Sequence, residues 1–428
     1  MPRWRRVTGV AGVAAGAAAA VAGGALVAEK IAVGRIRLRP DLAAAEPFGK
    51  LRGRVVPVTS DDGVPLHVEV EGPDDAPLTM IFCHGYALNQ DSWHFQRRDL
   101  SGTPGYRLVF WDQRCHGRSG RCGPGAARIQ QTGRDLYAII QKVAPDGAPV
   151  VLAGHSMGGM TITALADQHP ELFGTQVKAV ALISTAAGGL SGVTLGLPAP
   201  LGPLVRWAAP GVMRGVADDG LAAAVERIRQ AGGDVAFLGT RFIAFGDRGV
   251  SPAITDFLEH MIRATPIEVI SQFFAELAGH DLRRALPVLG KVPVVVISGG
   301  RDRLTPPHLL RAIADALSSA RLVSDPEAGH AILLEHPDLV TAELRELMRT
   351  AAEDTAAEDT AAEDTAAERT VEASGRASAA APRAGGSTAA AGSERGSRRA
   401  RATRTQRDAA RSPRQDRAGE DRYRRGVG

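Results

Sequence analysis

Residues 51–350 of this 428-residue chain predict an α/β domain with a mostly parallel central sheet, helices on both faces and a helical insertion. Three observations point there. Short apolar runs of strand length alternate with helical patterns. A hairpin signal precedes the alternation, since the strand-like runs 54–59 and 66–71 flank the turn Asp61-Asp62-Gly63. Lastly, a glycine-flanked serine, Gly154-His155-Ser156-Met157-Gly158-Gly159, stands between an apolar run and a helical stretch.

After the hairpin, the buried-strand candidates are 79–83, 108–111, 150–153, 177–183, 294–297 and 321–323. They are short, rich in Val, Ile, Leu and Phe, and not alternating, which suits strands covered on both faces. Helical patterns fall at 126–143, 157–168, 306–317 and 337–348. One long segment, 188–289, interrupts the alternation. It reads as helical, with amphipathic stretches at 221–228 and 267–277. The core therefore comes in two parts, 51–187 and 290–350.

Both termini fall outside this pattern. Arg3, Arg5 and Arg6 precede an uncharged run at 7–28, long enough to cross a bilayer but mostly Ala and Gly. A cleaved signal, an uncleaved anchor and an Ala-rich surface helix compete; the anchor is preferred, and membrane association or export follows from either of the first two. Basic residues flank both sides of the run, so its orientation stays open. At the other end, the motif Ala-Ala-Glu-Asp-Thr recurs from Ala351 and decays into Ala366-Ala367-Glu368-Arg369-Thr370. The repeats are expected to extend the preceding helix for a few turns. The rest of 351–428 has almost no large apolar residue and reads as a disordered tail.

The net charge of +4 is uneven, because residues 371–428 carry 14 Arg against six carboxylates. The basic balance belongs to the tail, and the core gives no reason to expect nucleic acid. Three cysteines do not make a disulfide framework. Cys83 reads as a small buried hydrophobe; Cys115 and Cys122 are near enough to pair, and the sequence leaves that open. No Cys or His cluster has metal-ligand spacing and no Gly-rich loop fits a nucleotide, so no cofactor and no metal are expected.

The chemistry lies at strand ends. A serine hydroxyl needs an exposed, crowded turn and a base. Ser156 has the turn, where the glycines two before and two after it keep large side chains away. His330, in a loop between the last strand and the last helix, is the candidate base. Asp302, in the loop after strand 294–297, is the candidate acid that orients the base; a helix-capping or salt-bridging aspartate before Pro306 is the bland alternative, and Asp281 and Asp325 are weaker candidates. Negative charge developing on a substrate oxygen needs backbone donors. The Met157 N–H is one. The Tyr86 N–H, in Phe82-Cys83-His84-Gly85-Tyr86-Ala87, is the other, with Ala87 as its neighbour. Gly85 lets the backbone approach the substrate, and His84 is expected to brace this loop.

With these motifs in order, together with Asp112-Gln113-Arg114-Cys115-His116-Gly117-Arg118-Ser119, the chain resembles the α/β-hydrolase superfamily, in its serine esterase, lipase and peroxidase-like branch. The resemblance spans 54–348. Cys115 stands where the family's loop has glycine. The resemblance implies that 188–289 is the lid and that serine at 156 argues against the aspartate-dependent epoxide and halide chemistries. It implies cleavage of a small-molecule acyl ester through an acyl-enzyme. A cofactor-free perhydrolase or a carbon–carbon hydrolase on the same triad is the alternative. A non-catalytic binding protein of this fold would be expected to lack part of the triad, and no part is missing. The acyl chain and oligomeric state are not legible.

Overall fold

In the computed structural model, residues 30–193 (apart from 32, 40 and 124) and 233–379 are described. Eight strands form one sheet: β1 Arg54–Thr59, β2 Pro65–Glu71, β3 Leu78–Cys83, β4 Tyr106–Trp111, β5 Val150–His155, β6 Val177–Ile183, β7 Val294–Gly299 and β8 Ala320–Asp325. Their order is β1-β2-β4-β3-β5-β6-β7-β8. The β1–β2 and β2–β4 pairs are antiparallel, and the remaining pairs are parallel. The main helices are α1 His94–Leu100, α2 Ile129–Val143, α3 Met157–Gln168, α4 Gly233–Ala244, α5 Pro252–Ala264, α6 Ile267–Ala278, α7 Pro307–Asp315 and α8 Pro337–Ala379.

Residues of β3 alternate between two apolar layers. Met80 and Phe82 join Trp93 and Phe110 on one face, while Ile81 and Cys83 join Trp111, Leu136 and Ile162 on the other. This is why the central strands read as continuous apolar runs: both faces are covered. Cys83 is fully buried, and burial pushes its thiol up to about 12. The strand ends extend one or two residues past the runs seen in sequence; Gly154, His155, Ser298 and Gly299 continue the ladder without being apolar.

Helix α8 continues through the repeats to Ala379, further than a few turns. Thr355, Thr360 and Thr365 each donate a hydroxyl to the carbonyl four residues back. Contacts divide the chain after Ala366 into two units; of the second, only the helical residues 367–379 are described. The apolar run 7–28, the cap stretch 221–228 and the tail from 380 onward lie outside the described residues. Among the described residues no helix is long and apolar enough to cross a membrane.

Candidate active site

Ser156 sits between β5 and α3 with φ 52° and ψ −118°, a backbone conformation that costs free energy in a non-glycine residue. The turn holds because its neighbours are small. A Cβ on Gly158 would lie 2.1 Å from the Cys83 carbonyl oxygen, so the end of β3 packs directly on the start of α3. The loop after β3 reaches the serine as well: a Cβ on Gly85 would lie 3.3 Å from Ser156 Cβ. Ser156 is 9% exposed.

Asp302 and His330 meet, with His330 Nδ1 2.9 Å from Asp302 Oδ2. The two oxygens of this carboxylate do different things. Oδ1 accepts the N–H groups of Leu304 and Thr305, both at 2.8 Å, in the turn ahead of α7; the cap position of that helix is Pro306, so Asp302 is not its cap. Oδ2 faces the imidazole and also accepts the Thr305 hydroxyl at 2.7 Å. One carboxylate thus braces its own turn and meets the histidine. Burial pushes the Asp302 carboxyl up, but the charge and hydrogen bond of His330, with the Thr305 donors, outweigh it and hold it below the usual carboxylate range. Sequence reasoning did not single out Thr305; the Asp-x-x-Thr spacing ahead of Pro306 was its only signal. Asp281 pairs with Arg283, and Asp325 with His336; neither meets His330.

Three other buried histidines surround the site, and burial lowers each. His84, lowered to about 4, donates from Nδ1 to the Gly85 carbonyl at 2.8 Å and accepts the Gln113 N–H at Nε2. Both ring nitrogens therefore serve the loop. His116, lowered to about 3, donates to the Arg114 carbonyl and accepts the Ala87 N–H at 3.2 Å. His155, also lowered to about 3, donates from Nε2 to the His330 carbonyl at 3.0 Å. Among the described residues His330 alone of these four is hydrogen-bonded to a carboxylate.

The Ala87 N–H is taken by His116, whereas the Tyr86 and Met157 N–H groups donate to no other described residue. Met157 opens the twelve-residue helix α3, so its N–H lies at the positive end of the helix dipole. The Tyr86 hydroxyl donates to the Ile270 carbonyl of α6. Behind the loop, Arg114 is fully buried and binds Asp135 through two nitrogens, at 2.6 and 2.8 Å. Cys115 adopts φ 66°, the left-handed conformation that glycine takes without strain, and is disulfide-bonded to Cys122. Among the described residues no group of three His, Cys, Asp or Glu side chains is arranged to hold a metal ion.

A family model described as "Alpha/beta hydrolase family" matches residues 80–343. The chain belongs to the alpha/beta hydrolase family. A pimeloyl-[acyl-carrier protein] methyl ester esterase of Xanthomonas oryzae pv. oryzae is 28% identical over 292 residues, covering 66% of this chain and 98% of that protein. A non-heme chloroperoxidase of Streptomyces lividans is 28% identical over 304 residues, covering 68% of this chain and 99% of that one. Among solved structures, a thermophilic esterase from Thermogutta terrifontis aligns with a TM-score of 0.54 at 24% identity, over 70% of this chain and 100% of its own; at that identity the likeness concerns the fold. This hydrolase fold brings the strand-end loops of β3, β5, β7 and β8 to one edge of the sheet.

Proposed function

We propose that this alpha/beta hydrolase cleaves a carboxylic ester through an acyl-enzyme. Ser156 Oγ attacks the acyl carbonyl while His330 takes its proton. The Met157 and Tyr86 N–H groups hold the oxyanion, and the tetrahedral adduct collapses as His330 returns the proton to the departing alcohol. Water then repeats the cycle to release the acid. Asp302 holds the imidazole tautomer and stabilises the imidazolium. The observation that carries this reading is the 2.9 Å contact between Asp302 and His330, in a site where burial keeps the other histidines neutral. Likeness to a methyl ester esterase supports the substrate class. The test is turnover of p-nitrophenyl acyl esters by wild type and Ser156→Ala: the variant should fall to background, and equal turnover would sink the reading.

A second reading keeps the same residues and is favoured by the likeness to a non-heme chloroperoxidase. Hydrogen peroxide in place of water would release a peracid from the acyl-enzyme. Halogenation that needs acetate, peroxide and Ser156 together would single it out.

A further inference from the structure

The His330 loop is held from a side that the proposed mechanism does not use. Five residues after His330, a single helical turn, Ile332–Glu335, ends in a half-buried carboxylate. The Glu335 side chain accepts three main-chain N–H groups. Oε2 takes that of Gly329, the residue before His330, at 2.6 Å. Oε1 takes those of Gly246, at 2.9 Å, and Asp247. Gly246 and Asp247 lie just past the end of α4, in the insertion. The two segments are pressed together, since a Cβ on Gly329 would lie 2.4 Å from the Gly246 nitrogen. One more bond joins them, from the Ala331 N–H to the Ala244 carbonyl at 2.9 Å; Arg301, from the loop after β7, donates to the Gly246 carbonyl at 3.1 Å.

None of the three N–H groups donates to another described backbone carbonyl. Without the carboxylate, three donors at the joint lose their acceptor, and one of them is the peptide beside His330. The imidazole is also placed by Asp302 and the Thr305 hydroxyl at Nδ1, and the residue by His155 at its main-chain carbonyl.

We propose that Glu335 is a positioning residue for the reaction, holding the His330 loop in register with the end of α4 so that the imidazole keeps its bond to Asp302. The proposal rests on the reading of His330 as the base. It makes the end of α4 a fixed support of the base.

The test uses the full chain and p-nitrophenyl acetate, with wild type, Glu335→Ala, Glu335→Gln and Ser156→Ala compared by kcat, KM and near-UV circular dichroism. Glu335→Ala should lower kcat roughly tenfold or more, as small misplacements of a base do. Its KM should stay within about twofold, since acyl binding is untouched. Glu335→Gln should recover part of kcat, because an amide oxygen can accept while its NH2 opposes the remaining donor. A natively folded Glu335→Ala with wild-type kcat overturns the proposal, as does a Gln variant no better than Ala. Should Glu335→Ala not fold, Glu335→Gln decides alone: reduced kcat at constant KM supports the proposal, and unchanged kcat overturns it. Wild-type turnover no higher than that of Ser156→Ala overturns the active-site reading itself, a result visible in a different pair of proteins.

Discussion

Two pairs of histidines stand at the carboxyl edge of the sheet. His84 and His116 follow β3 and β4 with ring centroids 5.4 Å apart; His155 ends β5 and His330 follows β8, at 5.0 Å. All four are buried. In the first pair every ring nitrogen is committed to a backbone group, and burial is the largest cause that lowers both rings, to about 4 and about 3. In the second pair one member is likewise lowered and spends a nitrogen on its partner's carbonyl, while the other faces Asp302. The pairs differ in their partners: His84, His116 and His155 bond to main-chain groups, and His330 meets a carboxylate. A carboxylate on Nδ1 is what equips an imidazole to hold a proton.

Removing the carboxylate should erase the difference. Asp302→Asn is expected to lower kcat by about 10³- to 10⁴-fold, since the amide no longer fixes the tautomer or balances the imidazolium. Single-turnover kinetics with an activated ester checks this; a loss below about tenfold would mean that His330 does not depend on its partner.

The three lowered histidines predict an effect of pH on stability. His84, His116 and His155 have folded values of about 4, 3 and 3, below the ordinary 6.5. The unfolded chain therefore takes up protons first as pH falls. The stability carried by the neutral rings is complete above about pH 6.5 and is lost on acidification towards their folded values, by about 1.4 kcal/mol per unit for each ring. Urea midpoints should drop steeply between pH 6.5 and 5. A flat profile would contradict neutral burial.

A smaller effect is expected at Cys115, next to His116. Its disulfide with Cys122 closes a short loop around a left-handed residue. Cys122→Ser should cost about 2 kcal/mol of stability, read from denaturant midpoints with and without reductant. An unchanged midpoint would mean that the loop needs no tether.

Much of this edge was legible because each proposed reactive residue lies beside a strand whose apolar run marks its end. Ser156, Asp302 and His330 follow β5, β7 and β8 in chain order, and the turn glycines at 154 and 158 are readable on their own. The choice between Tyr86 and Ala87 was open in sequence; it depends on His116, 29 residues away, which occupies the Ala87 N–H. Glu335 was invisible for the same reason, since one of its partners is 89 residues distant, in the insertion. Helix α1 went unread too. His94-Phe95-Gln96-Arg97-Arg98 has no apolar period, and the helix forms because Phe95 and Leu100 are buried and Arg97 is drawn onto Glu69 and Glu71.

The proposed chemistry requires an activated serine at position 156. Intact-mass analysis and peptide mapping after treatment with a fluorophosphonate would test it most directly. The account predicts one adduct per chain, on Ser156, and none on Ser156→Ala. An adduct elsewhere, or a natively folded wild type that takes none, would contradict it.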